Sequence, residues 1–184
     1  FTGVTFWLIS MTMLAATVFF FIERNSVKAS WRTSVTLSGL VTGIAFVHYM
    51  YMRDVWVTTG TSPTVFRYID WLLTVPLLMI EFYFILSAVK KVSGGIFWRL
   101  LIGTLIMLVG GYLGEAGYIG VNLGFIIGMA GWIYILYEVF AGEAGREAKK
   151  LKGAAASCFE FCKWIVTIGW AVYPLGYLFG YMTG

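Results

Sequence analysis

Charge is what this 184-residue chain has least of: Asp, Glu, Lys and Arg together make up only 12% of it. A soluble domain devotes about a quarter of its residues to these four types, so this composition excludes an ordinary water-facing surface. Histidine is almost absent, with His48 alone, and there are two cysteines, Cys158 and Cys162. Two thiols four residues apart with no histidine nearby read as reduced side chains on one helix, not as a metal site or a disulfide framework. No metal is expected. The net charge of +4 does not point to nucleic acid either, because the basic residues are confined to short links. What fills the chain instead is 60% hydrophobic and 18% aromatic residues, the profile of a membrane protein.

The apolar residues fall into six spans, A to F, at about residues 1–22, 33–52, 63–91, 96–113, 118–140 and 158–182. Each is long enough, as a helix, to cross a bilayer. The expected fold is therefore an all-α membrane protein, a single transmembrane helical domain over residues 1–184 with no soluble domain or internal repeat. Span A lacks an initial Met and a basic leader region, so it reads as a helix and not as a signal peptide. The link at 141–152 is polar, and the alanines at 154–156 extend span F backwards as helix.

Orientation follows from the basic residues. Arg24, Lys28, Arg32, Lys90, Lys91, Arg99, Arg146, Lys149, Lys150, Lys152 and Lys163 flank the A–B, C–D and E–F links, eleven of the thirteen Lys and Arg. Six alternating spans put all of them on one side, which the positive-inside rule makes cytoplasmic. The chain then starts outside.

Span C breaks the apolar rule. It carries Arg67, Asp70 and Glu81 at membrane depth, where charged groups are costly and a functional role is the default reading. Asp70 and Glu81 are eleven residues apart, three helical turns, so they share a face with roughly 16 Å between them. Arg67 lies one turn from Asp70 on the same stripe and favours its ionised form; Thr74 is one turn further on. Glu81 has Leu77, Leu78, Ile80 and Phe84 around it, and desolvation favours its protonated form. One carboxylate ready to take a proton and one ready to give it form a relay, directed from inside to outside by the topology above.

His48, five residues before Arg53, is expected roughly 7.5 Å below the outer end of span B. Asp70, seven residues after Pro63, is expected roughly 10 Å deep in span C. A short link makes B and C antiparallel neighbours, so the two groups can meet and His48 can tune Asp70. Spans D to F hold Gly103, Gly110, Gly111, Gly114, Gly124, Gly128 and Gly131, which allow close helix approach. Trp71, Trp132, Trp170, Tyr173 and Tyr177 serve equally as packing or as pocket walls, and periodicity does not choose. Pro76 and Pro174 are expected to kink their helices.

Together these residues carry a family resemblance. Arg67-Tyr68-x-Asp70-Trp71-x-x-Thr74-x-Pro76-Leu77, with Glu81 beyond it, resembles the third helix of the microbial rhodopsins. Trp170-x-x-Tyr173-Pro174 and Tyr134-Ile135-Leu136-Tyr137 resemble their sixth and fifth helices. The Asp, Thr, Glu triplet with His48 is most similar to the proteorhodopsins, and Leu78 to the green-absorbing ones. The resemblance covers essentially the whole chain. It implies a seven-helix bundle in a bacterial inner membrane, a homo-oligomer, and light-driven outward proton pumping with retinal as cofactor. It makes Asp70 the counterion and proton acceptor, Glu81 the cytoplasmic donor and Arg67 part of the outer release side. Trp71, Thr74, Leu78, Met107, Gly111, Trp132, Trp170, Tyr173, Pro174 and Tyr177 match retinal-pocket positions.

One departure matters. The family binds retinal through a lysine in its seventh helix, and Lys28, Lys90, Lys91, Lys149, Lys150, Lys152 and Lys163 all fall in or beside cytoplasmic links. A further apolar span carrying that lysine is therefore expected beyond Gly184. A photosensor would share the pocket without needing the donor. Chloride and sodium pumps would replace one or both carboxylates. A six-helix transporter without chromophore is the reading if the chain is complete as it stands.

Overall fold

The structure, a computed structural model, describes residues 1–182. Among these there are helices and turns and no strand. The order is α1 (Thr2–Glu23), α2 (Arg32–Thr59), α3 (Thr64–Val89), α4 (Gly95–Glu115), α5 (Val121–Phe140), a short α6 (Glu143–Ala148), α7 (Gly153–Trp164) and α8 (Val172–Tyr177). A 3₁₀ turn at Ala29–Trp31 leads into α2. Six helical segments are long and apolar enough to cross a membrane, the last running from Gly153 to Met182. Inside a bilayer no water satisfies stray polar groups. Thr42, Thr74, Thr104 and Thr167 accordingly donate their hydroxyls to the carbonyl one turn back, at 2.7–2.9 Å.

The chain folds as two compact units, Phe1–Leu78 and a second from Met79 onward. In the first, α1 packs on α2 through small residues. A Cβ on Gly39 would stand 3.1 Å from the Phe21 ring, and one on Gly43 would stand 3.3 Å from Thr17. Thr17 Oγ1 donates to Thr42 Oγ1 at 2.9 Å across this seam, a bond of the kind that contributes about 0.6 kcal/mol in membranes. Gly60 closes α2 with φ +68°, a left-handed conformation that glycine adopts without Cβ strain.

In the second unit α4 and α5 meet backbone to backbone. A Cβ on Gly131 would lie 2.5 Å from Met107 N, and one on Gly124 would lie 2.5 Å from Gly114 Cα. Ile96, Leu100, Ile135 and Val139 are buried along the same pair of helices. The Phe82 and Phe159 rings, both fully enclosed, cross edge to face at 5.0 Å and join α3 to α7. At the ends of α4 and α5, Arg99 Nε reaches Glu138 at 3.1 Å and its Nη2 reaches Glu143 at 2.5 Å. Glu138 also accepts the Ala144 N–H at 3.0 Å, and Lys90 pairs with Glu147. These contacts tie the link after α5 to its neighbours.

The six spans stand, with three revisions of outline. Span B continues seven residues past Met52 to Thr59, through Arg53 and Asp54, which lie 3.4 Å apart. His48 is thus eleven residues from the helix end, roughly 16 Å and not 7.5 Å. The polar 141–152 link contains a helix of its own, α6, organised on Glu138. Span F starts at Gly153 and is not regular: π-helical turns occupy Ile165–Gly169 and Leu178–Met182. Trp170 N–H bonds to Ile165 O at 3.1 Å, five residues back, in the segment that precedes Pro174, where proline removes a donor. At Pro76 α3 runs on without interruption.

Candidate functional site

The first unit holds the Asp70 group. Asp70 is 3% exposed, and its Oδ1 is buried without a hydrogen-bond partner. His48 Nδ1, from α2, stands 3.6 Å from that oxygen and 3.1 Å from Ile44 O. A carbonyl only accepts, so the shorter contact requires the proton on Nδ1; the longer one is an ion-pair distance, beyond a hydrogen bond. The meeting of His48 and Asp70 occurs despite the misplaced end of span B, because the two helices are neighbours at that level. The Arg67 guanidinium lies over Trp71, 5.3 Å from the ring, and over Tyr68 at 5.9 Å, two ring contacts that the spacing alone did not indicate. A ring quadrupole attracts a guanidinium held over its face. Thr74 is buried and donates to Asp70 O, the main-chain carbonyl, at 2.9 Å. Leu78 is 39% exposed. Beside His48 an apolar groove of about 370 Å³ runs between Phe21, Gly39, Gly43 and Leu73.

The second unit holds the remaining sequence-predicted residues. Met107 and Gly111 lie on the α4 face that Gly128 and Gly131 of α5 approach. Trp132 is fixed by its Nε1–H donating to Val166 O at 3.0 Å. That carbonyl belongs to the π-helical turn, whose wider hydrogen-bond spacing frees acceptors. Tyr177 donates its hydroxyl to Val121 O at 3.2 Å and packs on Phe125 at 5.6 Å. Trp170 and Pro174 are half-buried, and Tyr173 is exposed.

Glu81 is half-buried in the second unit. It interacts electrostatically with Cys158 and Cys162 of α7, two free thiols, the first exposed and the second half-buried. Sequence reasoning left these cysteines as idle thiols and missed Glu138 altogether. A signal for the first existed: alternating spans put Glu81 and Cys158 toward the same face of the membrane. Glu138 gave none, because a carboxylate in the last turn of a span looks like the start of a link. No group of three or more His, Cys, Asp or Glu suited to a metal occurs among the described residues.

With this geometry in place, comparison with known proteins is decisive. The bacteriorhodopsin-like protein family matches residues 1–184. The chain belongs to that family. Within it, the chain is 56% identical over 184 residues to the green-light absorbing proteorhodopsin of Gamma-proteobacterium EBAC31A08, covering all of this chain and 74% of the relative. It is 55% identical to the blue-light absorbing proteorhodopsin of Gamma-proteobacterium Hot 75m4, over 99% of this chain and 72% of that one. The crystal structure of a blue light-absorbing proteorhodopsin from Med12 matches with a TM-score of 0.81 at 53% identity, over 97% and 80% of the two chains. Xanthorhodopsin, described as a light-driven ion pump with dual chromophore, matches with a TM-score of 0.84 at 26% identity, over 95% and 76%. This family member is an integral, multi-pass membrane protein.

Proposed function

We propose that this rhodopsin-family chain is a light-driven outward proton pump using retinal, with Asp70 as counterion and proton acceptor and Glu81 as cytoplasmic donor. One observation carries the reading: a carboxylate 3% exposed, with an oxygen lacking a hydrogen-bond partner, sits in the Arg67-to-Pro76 motif. A buried, unsatisfied carboxylate is costly by itself. It fits a cationic N–H donor, which is what a protonated Schiff base offers. Likeness to proteorhodopsins and to xanthorhodopsin supports the same reading.

Retinal, when bound, would supply light absorption and isomerisation. The chain supplies the rest. Asp70 takes the proton at its carboxylate, which removes separated charge from a low-dielectric site. His48 tunes that carboxylate, and Arg67 conducts on the outer side. Glu81 holds a proton on the cytoplasmic side, gives it up and regains it from the cytoplasm. Trp71, Thr74, Leu78, Met107, Gly111, Trp132, Trp170, Tyr173, Pro174 and Tyr177 line the chromophore site and exclude water. Irregular backbone at Ile165–Gly169 is a place where the access change can occur, since π-turns and proline weaken the helical ladder.

The proposed setting is a bacterial inner membrane, with the chain start outside, the A–B, C–D and E–F links cytoplasmic, and further copies of the chain as neighbours. Lys163 supports that placement of the lysines: its Nζ lies 4.6 Å from the ring of Phe140, the last residue of α5. It therefore stands at the level of a helix end and not in mid-span. Illuminated lipid vesicles carrying the full-length, retinal-bound protein test the function. Net proton movement that a protonophore abolishes is expected; a photocycle without net movement would identify a photosensor instead.

A further inference from the structure

We propose that Cys158 and Cys162 form a hydrogen-bonded thiol pair that holds the carboxylic acid of Glu81 in place and sets the rate at which its proton is handed on. The inference rests on the donor assignment of Glu81 and adds two positioning residues to it. Four residues apart on α7, the two side chains occupy one helix face; both thiols are free, Cys158 exposed and Cys162 half-buried, and they interact with each other. Independently of the thiols, the Phe82–Phe159 pair fixes the register between the helices. The rings meet at 5.0 Å and 74°, each 1% exposed, and they are the chain neighbours of Glu81 and Cys158. Electrostatic interaction then links Glu81 to both thiols.

The chemistry suits the position. A thiol is a weak donor and a weak acceptor on a small apolar group. It can hydrogen-bond a carboxylic acid without bringing in charge or water, either of which would favour ionisation. The nearby charges on α7 are engaged with each other: Lys163 Nζ donates to Glu160 Oε1 at 2.6 Å. Two inert thiols on the helix surface would predict no effect on the acid.

Infrared spectroscopy of the full-length, retinal-bound protein in lipid separates these cases. In the dark, the carboxylic C=O band of Glu81 is identified as the band lost in Glu81→Gln. Cys158→Ala/Cys162→Ala should move that band to higher wavenumber and slow Schiff-base reprotonation at least threefold. Cys158→Ser/Cys162→Ser should return the rate to within twofold of wild type. An unmoved band in the alanine pair overturns the proposal. If the alanine pair does not fold, the S–H stretch of the otherwise native protein decides: it should differ between wild type and Glu81→Gln, and identical S–H bands overturn the contact. A shifted band with wild-type kinetics in Glu81→Gln would leave the contact standing and remove Glu81 from the donor role.

Discussion

Replacing Arg99 by methionine should destabilise the protein through Glu138, a residue that lies outside the proton path. The Glu138 side chain is 3% exposed, against 34% for Arg99. Breaking a fully buried pair costs about 3–5 kcal/mol, and an exposed one contributes at most about 1 kcal/mol. With one partner a third exposed, Arg99→Met should cost about 2 kcal/mol. That is a fall in Tm of roughly 4–8 °C for a chain of this size. Glu138→Gln should cost less, about 1 kcal/mol, since Arg99 keeps Glu143 at 2.5 Å and an amide oxygen can still accept from Ala144. The double variant should lose about 1 kcal/mol less than the sum, because the orphaned carboxylate is gone. The assay is thermal unfolding of all four proteins in one lipid or detergent condition. Losses that add to within about 0.5 kcal/mol would show that the two residues are not energetically coupled, and would refute the reasoning.

Three further outcomes follow from the same geometry. Glu81→Gln should leave the absorption maximum nearly unchanged and slow Schiff-base reprotonation at least tenfold, about 1.4 kcal/mol in barrier, read by flash photolysis. His48→Asn, removing the imidazole 3.6 Å from Asp70 Oδ1, should move the midpoint of the colour-versus-pH titration by about one unit; superimposable curves would make His48 a packing residue. Gly131→Ala should lower Tm by an amount corresponding to about 1–3 kcal/mol, because its Cβ would sit 2.5 Å from Met107 N, and backbone cannot give way as a side chain can.

Much of this was legible in the chain. The six spans follow from hydropathy, and the conflict between Arg67, Asp70 and Glu81 and their apolar surroundings marks the functional helix. The His48–Asp70 meeting was also readable, since a four-residue link, 60–63, leaves α2 and α3 adjacent. What failed did so for local reasons. Arg53 looked like a helix end because charge usually marks an interface, yet α2 runs on through it to Thr59. The rings of Tyr68 and Trp71 against the Arg67 guanidinium were not legible from its one-turn spacing to Asp70. Glu138 and α6 depend on a contact six residues ahead and another thirty-nine residues back, which spacing rules do not reach. The π-turns around Pro174 were foreshadowed only as a kink.

The central claim is that Asp70 takes a light-released proton on its way out of the cell. The most direct test is light-driven acidification outside vesicles or cells carrying the full-length, retinal-bound protein, compared between wild type and Asp70→Asn. Wild type should move protons from the cytoplasmic side outward. Asp70→Asn should move none while still binding retinal, with its absorption shifted to longer wavelength by the loss of the counterion. Outward pumping that survives in Asp70→Asn would contradict the account.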